Sequence, residues 1–174
     1  MRLQKFKTPI DRFIATFSIL VMIGLVICVV WQVFSRYVLG APSTMTDEVA
    51  RFSMIWVGLL GAAYGVGAQS HLSIDLFTMN LTGKKKLINQ IFINICVLVF
   101  AAGALIWGGG VLVAKVYSTG QVSPAMQVPM AYVYGVLPLS GLIMSYYSLL
   151  FILEAVLDFF TLPAAAINVS EEKA

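Results

Sequence analysis

The chain has 174 residues, 60% of them hydrophobic, with 11 basic and 8 acidic residues and a formal charge of +3. None of those charges falls inside four long apolar runs at positions 13–35, 52–70, 87–114 and 130–153. This excludes a separate soluble domain, a nucleic-acid surface and most enzyme chemistry, because chemistry inside a bilayer usually needs a buried charge.

At about 1.5 Å per helical residue, each run is about long enough to cross roughly 30 Å of hydrocarbon. Backbone groups in lipid must be satisfied within the segment, and the runs are continuous rather than alternating. The expected fold is therefore an all-α membrane protein: one four-helix membrane domain with an N-terminal interfacial amphipathic segment and short surface helices.

Thr8-Pro9-Ile10-Asp11 reads as a helix start, with Thr8 as cap, Pro9 at the first helical position and Asp11 favoured by the dipole. Leu3, Phe6, Ile10, Phe13 and Phe17 recur every three or four residues among Lys5, Lys7 and Arg12. That pattern suits a helix that begins along the membrane surface. The first run exceeds a usual signal-peptide core and reads as a retained anchor.

Gly40-Ala41-Pro42 breaks the chain after the first run. Thr44-x-x-Asp47 reads as a capping-box variant opening the second helix. Asp47 and Glu48 lie four and three residues before Arg51, so either carboxylate can pair with it on one helix face. Adjacent acids on a helix point about 100° apart and do not converge as an acid/base pair. Gly58, Gly61 and Gly65 share one face of the second helix, and Gly61-x-x-x-Gly65 permits close approach of another helix, in this chain or in another protein.

His71 and Asp75 follow the second run, before the basic cluster Lys84–Lys86, which favours anionic lipid. A lone histidine makes no metal site, which needs three or four ligands. Cys28 and Cys96 stand isolated in apolar runs and behave as small hydrophobes. Gly108-Gly109-Gly110 should weaken the third helix locally and permit a bend or close contact. Ser123-Pro124 to Val128-Pro129 marks a non-helical connection, Pro138 should kink the fourth helix, and Tyr132, Tyr134, Tyr146 and Tyr147 suit an aromatic belt.

Eight basic residues fall on the side of the N-terminal tail, the second connection and the C-terminal tail, against three on the other side. The positive-inside rule then puts both termini in the cytoplasm.

The stretch from Phe34 to Phe77 carries Arg36-Tyr37, Gly40 with Pro42, Asp47-Glu48, Ala50-Arg51, Trp56, Leu60 to Ala63, and His71 with Asp75. It resembles the small membrane subunit of the tripartite ATP-independent periplasmic (TRAP) transporters. A proline-rich entry to the last helix, Pro124 to Pro138, is a second match. The family often has Trp just before the acidic pair, where Met45 and Thr46 stand here.

The resemblance implies a non-catalytic subunit of a sodium-driven importer of organic acids, such as sialic acid or C4-dicarboxylates, in the bacterial inner membrane. It implies two protein partners, a large many-helix membrane subunit and a periplasmic substrate-binding protein, besides membrane lipids. No cofactor is expected, and sodium would bind the large subunit. Arg36, Asp47, Glu48, Arg51, Trp56, Gly58, Gly61, Gly65, His71 and Asp75 are the candidates for shaping the bundle or docking a partner. The alternative is a self-sufficient four-helix exporter, which would want a membrane-embedded carboxylate that the runs lack.

Overall fold

A computed structural model describes residues 4–41, 43–68 and 84–161 of the chain. Among the described residues there is no strand; helices α1 (Gln4–Tyr37) and α2 (Thr44–Gly67) come first. The third membrane helix is continuous from 84 to 118 but has three parts: α3 (Lys84–Phe100), a π-helical segment Ala101–Gly108, and α4 (Gly109–Ser118). The fourth is broken once, into α5 (Met130–Tyr134) and α6 (Val136–Thr161). Among the described residues, four stretches are long and apolar enough to cross a membrane: Ile10–Tyr37, Thr44–Gly67, Ile88–Ser118 and Met130–Leu157.

The N-terminal segment is continuous with the first span. Helix α1 runs unbroken for 34 residues, about 50 Å at 1.5 Å per residue. It starts at Gln4, upstream of the expected Thr8-Pro9 start. Pro9 lies inside this helix, where its missing N–H removes one bond to the preceding turn.

Helix α1 ends in a wide turn. The Val38 N–H donates to the Phe34 carbonyl at 2.8 Å and Ala41 N–H to Ser35 at 3.3 Å, while the Ser35 hydroxyl donates to the Ala41 carbonyl. Gly40 adopts φ +65°, a left-handed conformation that glycine takes without steric cost. The expected capping box at Thr44 does not form. Ser43 is the cap, through its backbone carbonyl to the Asp47 N–H at 3.3 Å, with no side-chain cap bond. The Asp47 carboxylate is drawn elsewhere, as described below.

The fourth helix is the central post. In its most apolar window 39% of residues are buried, against 6% for the first helix. The core joins Leu60, Ala63 and Val66 of α2 to Ala101 and Leu105 of the π segment and to Val136, Met144, Tyr147 and Phe151 of α6. Helix α1 packs mainly on α2, while α2, α3 and the π segment each pack on α6.

Three glycines set the closest approaches, and none is on the Gly58–Gly65 face. A Cβ added at Gly67 would lie 2.8 Å from the Tyr147 ring. One at Gly109 would lie 2.8 Å from Leu137 Cβ, and one at Gly141 would lie 2.7 Å from Leu105 Cβ. Gly109 thus makes the close contact expected of the glycine triplet.

The break in the fourth helix falls at Gly135, three residues before Pro138. A proline ring clashes with the carbonyl four residues upstream, here that of Tyr134, so the chain opens there. Pro138 itself sits in the first turn of α6, where no backbone donor is required. Tyr132 is exposed as a belt residue should be, but Tyr147 is fully buried. Its hydroxyl donates to Asp11 Oδ1 at 2.5 Å, tying the start of α1 to α6.

Candidate functional site

The polar candidates gather at the end of the bundle where α1 passes to α2 and α4 to α5. Asp47 sits one turn into α2, where a helix N-terminus favours an anion. It accepts from Gln32 Nε2 of α1 at 2.5 Å and from Arg51 Nη2 at 2.7 Å. The expected Asp47–Arg51 pair is therefore present, but at the surface, with side chains 36% and 74% exposed. An exposed pair of this spacing contributes only about 0.3–0.5 kcal/mol. Its second partner, Gln32, makes it a link between two helices.

Glu48 does not form the expected salt bridge with Arg51. Its two oxygens accept from consecutive backbone amides across the bundle, Ala125 N–H at 2.9 Å and Met126 N–H at 3.0 Å. Those amides belong to a small hairpin. Ser123 N–H donates to Val128 at 2.9 Å, Met130 N–H donates to Gln121 at 2.9 Å, and Val122 bridges Pro129. Gln127 takes φ +55° at its tip. Ser123 is buried and its hydroxyl also faces the carboxylate. Charge-assisted bonds of this kind are roughly twice as strong as neutral ones. Glu48 is thus the clasp that holds the 119–129 connection on α2.

Between clasp and ion pair lies an open cavity of about 390 Å³, lined by Thr44, Asp47, Glu48, Arg51, Pro124 and Ala125. Arg36, exposed in the last turn of α1, is not among the residues lining that cavity. Trp56 is not in it. It is half-buried and meets Phe17 with ring centroids 6.0 Å apart, so it belongs to the α1–α2 packing.

Gly58, Gly61 and Gly65 form a separate surface. A Cβ at any of them would meet nothing within 4 Å, so no helix of this chain covers that face among the described residues. His71 and Asp75 lie outside the described residues. Among the described residues, no three His, Cys, Asp or Glu side chains come together as metal ligands.

Sequence reasoning missed Gln32, Ser123 and the Asp11–Tyr147 bond. Gln32 had one visible signal, an amide inside an otherwise apolar run. The amides of Ala125 and Met126 had none. The assembled group holds connections in place: both acidic side chains of α2 are engaged within the chain.

Comparison with known proteins agrees with this architecture. The family model described as "Tripartite ATP-independent periplasmic transporters, DctQ component" matches residues 25–158. The chain belongs to that family, and is a TRAP permease component rather than an enzyme. It is 28% identical over 135 residues to the isethionate TRAP transporter permease protein DctMQ of Oleidesulfovibrio alaskensis, covering 74% of this chain and 21% of that protein. It is 27% identical over 108 residues to the sialic acid TRAP transporter small permease protein SiaQ of Vibrio cholerae, covering 62% of each. It is 31% identical over 112 residues to the C4-dicarboxylate TRAP transporter small permease protein DctQ of Rhodobacter capsulatus, covering 62% of this chain and 47% of that one. The chain thus spans less than two thirds of each of these relatives. With four apolar helices, the family places it as a multi-pass inner-membrane protein.

Proposed function

We propose that the chain is the small, non-catalytic permease subunit of a sodium-coupled TRAP importer of organic acids, and that it holds the large membrane subunit in place. The observation that carries this reading is the open glycine face. Gly67, Gly109 and Gly141 are spent on contacts inside the bundle, whereas Gly58, Gly61 and Gly65 present bare helix backbone to the outside. A surface of that kind suits close packing by a helix of another protein, because backbones can approach where side chains are absent.

One relative, named DctMQ, is almost five times longer than the segment it shares with this chain. That supports a large permease partner for the present subunit. The three relatives are named for isethionate, sialic acid and C4-dicarboxylates, so an organic acid is the proposed cargo class. The large subunit carries the substrate and sodium sites in this reading. The basic asymmetry of eight against three puts both termini in the cytoplasm. The clasped connection at 119–129 and the turn at 38–43 then face the periplasm, where a substrate-binding protein docks.

The test is co-purification. Gly61→Leu with Gly65→Leu should abolish recovery of the large subunit while this chain still folds and inserts. Undiminished assembly sinks the glycine face as the docking surface. Sodium-dependent uptake in liposomes, with each component omitted in turn, tests the importer itself: uptake by this chain alone would overturn the scaffold reading.

A further inference from the structure

We infer that the end of α1 around Arg36 binds the headgroup of an anionic phospholipid, with an acyl chain lying along one stripe of that helix. Gln32, Val33, Arg36 and Tyr37 line a cavity of about 260 Å³ at the helix end. Arg36 is exposed there. The two carboxylates at the start of α2 are already engaged, Asp47 by Gln32 and Arg51, and Glu48 by the amides of Ala125 and Met126. Among the described residues the Arg36 guanidinium thus has no carboxylate partner. Its planar fork of donors fits a phosphate.

The surroundings mark this level as the membrane–water boundary. Tyr37 is 79% exposed, and Trp31 and Phe34, both exposed, meet with ring centroids 6.0 Å apart. Aromatic residues concentrate where acyl chains give way to headgroups. From the cavity an apolar lane runs down the helix through Val33, Val29, Val26, Met22 and Ile19, all exposed. At 100° per residue these five fall within about 80° of one another. The lane covers about 21 Å at 1.5 Å per residue, more than the roughly 15 Å of one leaflet's hydrocarbon. A cation at the head of a leaflet-long apolar stripe complements an anionic lipid in both charge and length. This site lies at the opposite end of the bundle from the Lys84–Lys86 cluster.

The test uses the full chain with Trp31→Phe, Trp56→Phe and Trp107→Phe, and with Val29→Trp as the single reporter on the stripe. It is reconstituted in phosphatidylcholine vesicles, and its quenching by brominated phosphatidylglycerol is compared with quenching by brominated phosphatidylcholine. The anionic lipid should be favoured about fivefold, as one basic residue at a charged lipid surface provides. Arg36→Gln should erase the preference and Arg36→Lys should keep it, both with unchanged helix content. Equal quenching by the two lipids, or a preference that survives Arg36→Gln, overturns the inference. So does loss of the preference in millimolar inorganic phosphate, which would mark a free-anion site. Shielding of the Val29→Trp reporter from both lipids in the assembled transporter would show that protein, not lipid, covers the stripe, and would likewise overturn it.

Discussion

Replacing Gly141 by Ala tests the packing of the bundle most directly. The new Cβ would lie 2.7 Å from Leu105 Cβ, 2.9 Å from Ile106 Cγ1 and 3.1 Å from the Ile106 backbone nitrogen. Non-bonded carbons settle at about 3.5–4.0 Å. Leu105 Cβ and the Ile106 nitrogen are fixed to the backbone, so no rotamer change relieves the clash. The two helices must part by about 1 Å. Overpacking of this kind costs about 1–3 kcal/mol. Alanine's better helix propensity returns at most about 1 kcal/mol. Gly61→Ala supplies the control, since it brings the same propensity change with nothing within 4 Å. The difference between the two variants isolates the steric part, roughly fivefold to a hundredfold in the unfolding equilibrium at 1.4 kcal/mol per decade. Reversible unfolding in mixed detergent micelles, followed by helix circular dichroism, measures it. A Gly141→Ala protein as stable as Gly61→Ala refutes the close approach of α6 to the π segment.

Tyr147→Phe should cost about 1–2 kcal/mol in the same assay, because it removes the hydroxyl bound to Asp11 at 2.5 Å while keeping the ring against Gly67. An unchanged midpoint would mean that this bond does not hold the start of α1. Glu48→Gln should speed hydrogen exchange at the Ala125 and Met126 amides severalfold, with the amides of α2 unaffected; equal exchange in both proteins would show the hairpin holds itself. For orientation, a membrane-impermeant maleimide added to intact cells should label Ser118→Cys and leave Lys84→Cys unlabelled. The opposite pattern reverses the topology.

The four spans were legible because lipid enforces a simple rule: charges stay out of the runs and backbone groups pair within them. The breaks were legible too, but displaced. Pro138 acts on the carbonyl four residues behind it, so the chain opens at Gly135. The glycines were harder. Gly61-x-x-x-Gly65 has the spacing that signals helix contact, yet the internal contacts are made by Gly67, Gly109 and Gly141. What brings those three into contact is the neighbour each happens to face, which spacing along one helix does not encode. The sequence offers Glu48, like Asp47, as a possible partner of Arg51, because side-chain charges are visible in a sequence. Its real partners are backbone amides 77 and 78 residues away, and every residue but proline has such an amide. Residue type alone suits Tyr147 to an aromatic belt, and only the fold shows the Asp11 carboxylate that claims its hydroxyl.

The π-helical segment has a consequence for how this chain varies across its family. An i→i+5 turn holds about one residue more than an α turn. Deleting one residue between Ala101 and Gly108 therefore lets the segment tighten to ordinary α-helix while α3 and α4 keep their rotational setting. A deletion anywhere else in the third helix turns the far half by about 100°, swinging Gly109 away from Leu137 and Pro138. Natural length changes in this helix should thus fall in those eight positions, making the segment a reserve of register that the rest of the bundle does not have.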